Sequence, residues 1–237
     1  MIYDLVRKMF NRKTPAGNVN IFTKPYIFLI TSTIKFSKNS LSYNHTRSVF
    51  SAEERLEQTL HTIDSIRTKV PDAIVILLEN SNLFPKEVSV LQNKVDWLVS
   101  FSQDARAVKL RDGPYKGAAE AYMLRYMQNI LKYFSYNIMF KLSGRYCLSE
   151  RFNIQNFSQE CFGILLRDGV YSTRLYSVPK ILNNLYYKQL YKSMQAALKG
   201  ESIESVFLRN VAKDKIQRLE YLGVQGYISP NGNFIDE

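Results

Sequence analysis

The sequence predicts an α/β fold with a mostly parallel central sheet, helices on both faces and a smaller C-terminal part. Three observations carry that expectation. Four short apolar runs, at residues 26–34 (YIFLITSTI), 73–78 (AIVILL), 97–101 (WLVSF) and 136–141 (YNIMFK), look like strands buried on both faces. Stretches of helical period separate them in β-α-β-α-β-α-β order, which argues for parallel pairing through crossovers. A chain of 237 residues with 46% hydrophobic content suits one large domain of this class.

The elements follow in order. Residues 1–13 set Ile2, Leu5, Met9 and Phe10 at helical spacing, with Arg7, Lys8, Arg12 and Lys13 between them. That pattern fits a terminal helix docked on its own domain, or a basic helix lying on an anionic membrane. A connector at 14–23 follows, so 1–24 reads as a basic N-terminal segment and 25–237 as a single domain. After the first strand, 35–50 is polar and reads as a loop. Ser51 and Glu54 then form a capping box for a helix carrying Leu56, Leu60, Ile63, Ile66 and Val70, which Pro71 ends. The next strand closes a β-α-β unit of the length a right-handed crossover needs. Residues 85–94 read as a short helix, 105–115 as a charged loop and 116–134 as the longest helix. Beyond Arg151 a hairpin is expected around Asp168-Gly169, joining 163–166 to 170–176. Helices are expected at 182–198 and 202–211, and the tail at 222–234 reads as loop with a short strand.

Charge and composition narrow the partners. A net charge of +11 calls for an anionic partner: a nucleotide, a nucleic acid or an acidic membrane surface. Cys147 and Cys161 make no disulfide framework and read as buried thiols of a reducing, cytoplasmic compartment, with peripheral membrane contact open through residues 1–13. His45 and His61 cannot build a His-rich metal site, and His61 lies off the apolar stripe of its helix. No apolar run reaches the roughly 18–20 residues that span a bilayer, and the start lacks a signal-peptide h-region. GxxxxGK[ST], GxGxxG after the first strand, GxSxG and HExxH are all absent, which sets aside the commonest kinase, ATPase, dinucleotide-dependent and hydrolase readings.

What remains is a set of polar strand ends: Thr31-Ser32-Thr33, Glu79-Asn80-Ser81 and the stretch from Lys141 through Leu142, Ser143 and Gly144 to Arg145. Ligands of open α/β sheets bind just outside the carboxyl ends of the strands, so these three ends are expected to share one crevice. At the fourth, Lys141, Arg145 and free backbone N–H groups would meet an anion, with Ser143 and Gly144 letting the backbone come close. Glu79 would accept from a base or ribose donor. Arg47, Arg55 and Lys116 are further candidates for the anion, with Glu120 holding Lys116 or a ribose hydroxyl.

The segments RSVFSAEERLEQTLHTIDSIR (47–67), ILLENS (76–81), KGAAEAYML (116–124), FKLSGRYCL (140–148) and IESVF (203–207) together resemble GT-A-type glycosyltransferases. They look most like the small enzymes of giant viruses, phages and bacterial surface-polysaccharide clusters, including the WavE-like group. The resemblance spans roughly residues 25–233, and KLSGRY is its most specific part. It implies a GT-A-like domain whose 25–150 half binds a UDP- or GDP-linked sugar and whose 151–237 half holds a glycan or glycolipid acceptor. It implies donor contacts from Thr31, Ser32, Arg47, Glu79, Lys116, Lys141, Ser143, Gly144 and Arg145. The chain departs from the family pattern where an Asp-x-Asp motif would bind a divalent cation, offering Lys-Leu-Ser-Gly-Arg instead. No protein metal site is therefore expected and no cofactor is required, although Mn²⁺ or Mg²⁺ can still ride on the donor diphosphate. The resemblance also implies an acidic residue on a late helix as catalytic base: Glu204, with Glu201 and Asp168 as alternatives. An acid in a first helical turn is favoured by the helix dipole as well. The reading from another class is a nucleic-acid-binding module, resting on the charge and 16 tyrosines; the dispersed basic residues and the lack of a nucleic-acid motif speak against it, and no nucleic-acid partner is expected.

Overall fold

The computed structural model describes residues 22–37, 39–41 and 46–237. The basic stretch 1–13 and His45 lie outside the described residues. The strands are β1 (Phe22–Thr23), β2 (Tyr26–Ser32), β3 (Ile74–Glu79), β4 (Trp97–Ser100), β5 (Phe134–Ser135), β6 (Ile138–Ser143), β7 (Tyr146–Leu148), β8 (Phe162–Arg167), β9 (Val170–Tyr171), β10 (Leu175–Pro179), β11 (Ile216–Leu219), β12 (Val224–Tyr227) and β13 (Phe234–Asp236). The α-helices are α1 (Ala52–Lys69), α2 (Pro85–Gln92), α3 (Ala105–Asp112), α4 (Lys116–Tyr126), α5 (Gln128–Leu131), α6 (Asn183–Ala197) and α7 (Ile203–Val206).

The main sheet runs β11-β8-β10-β6-β2-β3-β4, with β9 hairpinned onto β8. The four strands expected from the apolar runs are all parallel neighbours: β6, β2, β3 and β4. β10 runs antiparallel between β6 and β8, while β11 joins β8 in parallel. Side chains alternate across the sheet. Ile27 and Leu29 of β2 face one core with α4 and α6, and Phe28 and Ile30 face the other with α1. On that second side Phe28 stacks on Phe140 at 4.7 Å between ring centroids. Burying each such ring is worth roughly 1.5–3 kcal/mol, so continuous apolar strands belong in the sheet's middle.

Local chemistry explains where the helices start. Ser51 Oγ accepts from Glu54 N at 3.2 Å and Glu54 Oε2 accepts from Ser51 N at 2.7 Å, so the capping box before α1 is complete. Residues 105–112, expected as loop, are helical because the Asp104 carboxylate accepts from Arg106 N and Ala107 N, both at 2.9 Å. The helix expected at 116–134 instead breaks into α4 and α5, and Phe134–Ser135 pairs in parallel with Phe22–Thr23. The fold therefore reaches back before Pro25: Phe22 stacks on Phe134 and meets Trp97 edge-on. The helix expected at 202–211 is only the four residues of α7. The hairpin at Asp168-Gly169 forms, with φ of 49° and 76°, but its second arm stops at Tyr171 and β10 is a separate strand. The tail carries two strands, β12 and β13, and β12 pairs with both β13 and β7. Both cysteines are free thiols and half-buried rather than buried. Among the described residues no helix is long and apolar enough to cross a membrane.

Candidate functional site

The carboxyl ends of β2 and β6 open into a crevice roofed by α4. Its lining includes Thr31, Ser32, Phe36, Arg47, Arg55, Arg111, Lys116, Glu120, Ser143 and Arg145. Most of the expected donor residues thus converge, and five cations crowd one concavity. Ser143 and Arg145 also line an adjoining groove with Arg167, Thr173, Arg174, Glu204 and Glu237. The two depressions share a wall.

Three of the cations are anchored to the protein. Arg47 donates to the carbonyls of Asn39 and Gly113, to Arg111 O at 2.8 Å and to Asp112 O at 3.2 Å, tying Asn39 and itself to the end of α3. Arg55 donates to Thr33 O at 2.8 Å and to Ser229 Oγ at 3.1 Å. Burial, with Arg145 nearby, lowers its guanidinium to about 9. Arg111 donates to Asn80 O at 2.8 Å and pairs with Asp112 at 2.7 Å. Arg111 is not among the residues expected from sequence, because 105–115 reads there as a charged loop; Asp104 as N-cap is the signal for the helix.

Lys116 and Arg145 differ from these three. Among the described residues neither side chain has a hydrogen-bond or ion-pair partner, and Arg145 Nε is buried without one. The guanidinium of Arg145 rests near the Tyr146 ring, 5.7 Å from its centroid. Arg145 first, then burial, then Arg55 push the Lys116 ammonium well below the ordinary lysine value, against the pull of Glu120 and Glu204. The crevice holds surplus positive charge that the described residues do not neutralise.

Other expected donor residues are placed elsewhere. Glu79 is fully buried, because strand parity turns it with Leu77 toward the α1 side, away from α4. Its Oε1 accepts from Ile34 N at 3.1 Å, from Ser81 N at 2.8 Å and from Ser81 Oγ, so it fixes loops and meets no ligand in the crevice. Lys141 is likewise fully buried, two residues inside the strand end on the same face as Met139. It pairs with Glu120, not with an anion in the crevice. Burial opposes the Glu120 charge, yet Lys141 and the Thr31 hydroxyl, which donates at 2.9 Å, hold that carboxyl below its usual range. Glu120 therefore holds Lys141 and Thr31 in place of the expected Lys116 contact. The free N–H groups expected at the turn are also engaged. Ser143 N donates to Arg174 O at 2.9 Å, Gly144 N to Thr31 O at 2.9 Å and Arg145 N to Ser143 O at 2.8 Å. Gly144 works by closeness: a Cβ there would lie 3.2 Å from Ser32 Cβ and 3.3 Å from Thr31 O.

Glu204 lies in the adjoining groove. Its Oε1 accepts from Thr173 Oγ1 at 3.0 Å and its Oε2 from Ser202 Oγ at 2.7 Å, which sets the plane of the carboxylate. Glu201 is turned to an exposed pair with Arg209 at 2.9 Å, and Asp168 sits in the hairpin turn; neither lines the groove. Among the described residues no group of three or more His, Cys, Asp or Glu side chains could hold a metal ion.

No family model matches the chain, and no curated protein matches it in sequence. Among solved structures it is similar to the galactosyltransferase LgtC in complex with donor and acceptor sugar analogues, at 8% identity and a TM-score of 0.47, over 87% of this chain and 88% of that one. It is also similar to the glycosyltransferase GlyE of Streptococcus pneumoniae, at 11% identity and a TM-score of 0.45, over 84% of this chain but 45% of that one. A third is a glycosyltransferase involved in the glycosylation of the major capsid of PBCV-1, at 8% identity and a TM-score of 0.41, over 82% of this chain and 79% of that one. Likeness at this level assigns no residue role and no activity here.

Proposed function

We propose that the protein is a GT-A-type glycosyltransferase. It moves a sugar from a nucleotide-diphosphate sugar, UDP- or GDP-linked, to the hydroxyl of a glycan or glycolipid acceptor, in surface glycan synthesis. The observation that carries the reading is a pair of cations in the crevice, Lys116 at the start of α4 and Arg145 just past β6, whose side chains have no hydrogen-bond or ion-pair partner among the described residues. A single crevice that concentrates five cations suits a compact polyanion, whereas a nucleic-acid module needs a longer basic groove that tracks the backbone, with aromatics on which bases stack.

In this reading the 25–150 half supplies the donor crevice and the 151–237 half the acceptor groove. The diphosphate lies against Lys116 and Arg145. Two unit charges about 4 Å apart attract by roughly 4 kcal/mol at an effective dielectric of 20, before desolvation is subtracted. The same cations stabilise the diphosphate as it leaves. The acceptor oxygen bonds to the anomeric carbon, the bond from that carbon to the diphosphate oxygen breaks, and Glu204 takes the acceptor's proton. A positioned carboxylate base typically contributes about 10²–10⁴-fold. A divalent cation is not required of the protein and would be carried by the diphosphate.

The test is turnover and thermal shift over a panel of UDP- and GDP-sugars. A ligand that binds only the folded state must raise its melting temperature by mass action. The reading expects a selective shift with one nucleotide diphosphate, and sugar released to water or transferred to an acceptor. No shift and no turnover across the panel, beside salt-sensitive oligonucleotide binding, would refute it.

A further inference from the structure

Lys141 is the one fully buried cation among the largest buried side chains, and it reaches no ligand space. Its ammonium makes three contacts, which account for all three of its protons. It pairs with Glu120, donates to Ser143 Oγ at 2.7 Å and donates to Thr173 O at 2.5 Å. These partners lead to different places. Glu120 lines the crevice, and its Oε1 also takes the Thr31 hydroxyl. Ser143 lines both crevice and groove. Thr173 donates from Oγ1 to Glu204 Oε1 at 3.0 Å. The space left around the junction of Glu120, Lys141 and Thr173 is about 10 Å³, at or below the roughly 10–15 Å³ that one water needs. The packed junction thus leaves little room for solvent beside these contacts.

From this chain of bonds we infer that Lys141 is a positioning residue for the transfer step: through Thr173 it holds the Glu204 carboxylate in register with the donor crevice. The inference deepens the sugar-transfer reading and rests on it for the role of Glu204. The physical reason is specificity of geometry. A buried ion pair is often no more stabilising than apolar residues of its size, so its presence is better explained by the arrangement it enforces. Three fixed donors on one ammonium tie β6, α4 and the 172–174 segment into a single spacing. A displacement of about 1 Å at such a site can cost about 10²-fold in rate.

Lys141→Met alone leaves Glu120 buried and unpaired and can fail to fold, so the test uses Lys141→Met with Glu120→Gln, and separately Thr173→Val. Each is expected to lower kcat by roughly 10- to 100-fold while the donor KM stays within about threefold. Thr173→Ser should restore turnover. Because one path serves both, the two losses should not multiply in the combined variant. Amide exchange at Ser143 and Ser172, which flank the anchored carbonyl in the fold, should quicken in the paired variant and not in Thr173→Val. Losses that multiply, or a donor KM that rises in step with the fall in kcat, would overturn the inference. If the unaltered protein neither transfers nor hydrolyses any nucleotide sugar, the sugar reading fails. Exchange at Ser143 and Ser172 still decides the anchoring, and unchanged exchange refutes it.

Discussion

Replacing Lys116 by Met and Arg145 by Gln, singly and together, probes the charge that the crevice leaves unneutralised. Among the described residues neither side chain has a hydrogen-bond or ion-pair partner, which leaves both free to meet a phosphate. A charge-assisted hydrogen bond to phosphate is worth about 1.5–3 kcal/mol, which converts to a roughly 10- to 150-fold loss of affinity per residue. The loss should fall on GDP or UDP, whereas guanosine or uridine should weaken less than about threefold, since neither cation is needed for the base. Stability moves the other way. The Lys116 value is lowered in the folded state by Arg145 and by burial, so the charged lysine works against folding below that lowered value. The penalty fades as pH rises through it toward the unfolded value. Lys116→Met should therefore raise the ligand-free melting temperature near neutral pH while weakening the diphosphate. Calorimetric titration with matched nucleoside and nucleotide, beside melts with and without pyrophosphate, reads both effects. Equal weakening of nucleoside and diphosphate, or a lower ligand-free melting temperature in Lys116→Met, would show that the two cations are structural.

Four further outcomes follow from the same geometry. Glu204→Gln should lower turnover by about two orders of magnitude or more with donor affinity nearly intact, measured by initial rates and titration, while Glu201→Gln, whose carboxylate is paired with Arg209, should stay active. Transfer should survive EDTA; complete loss restored by Mn²⁺ would mean that the diphosphate needs a metal after all. Diphosphate affinity should fall as pH rises through the depressed Lys116 value, because a bound anion holds the proton that the free site gives up, and proton uptake in calorimetry in buffers of different ionisation enthalpy checks the sign. Gly226→Ala should destabilise by about 1–3 kcal/mol, or roughly 2–12 °C in melting temperature, because a Cβ there would lie 2.4 Å from Arg145 O.

Much of the sheet was legible because its central strands announce themselves. Runs such as IVILL can only be buried on both faces, and Ser51 with Glu54 marks a helix start by local bonds alone. Of the outer strands, β8 and β9 were legible as a hairpin around Asp168-Gly169, whereas β11 and the separate course of β10 were not. β10 and β11 are short and carry Ser, Pro, Gln and Arg, and they are specified by pairing with partners distant in the chain rather than by their own pattern. α3 was hidden for a related reason: a helix of eight residues with three cations and one fully buried side chain has little apolar stripe to read.

Polar strand ends located the crevice, yet being at a strand end does not say which side of the sheet a side chain serves. Parity does. Thr31 and Ser143 share the α4 face, while Ser32 and Glu79 turn to the α1 face, where Ser32 meets Thr59 at 3.2 Å and Glu79 holds backbone. The same count separates two lysines of equal charge. Lys141 sits within the strand, where desolvation demands a carboxylate, and Glu120 supplies one. Lys116 opens a helix at the crevice rim, at the positive end of the helix dipole and among arginines, where no carboxylate is bonded to it. A lysine kept charged in such surroundings costs stability until an anion arrives, and that cost is the physical signature on which the proposed diphosphate site at Lys116 rests.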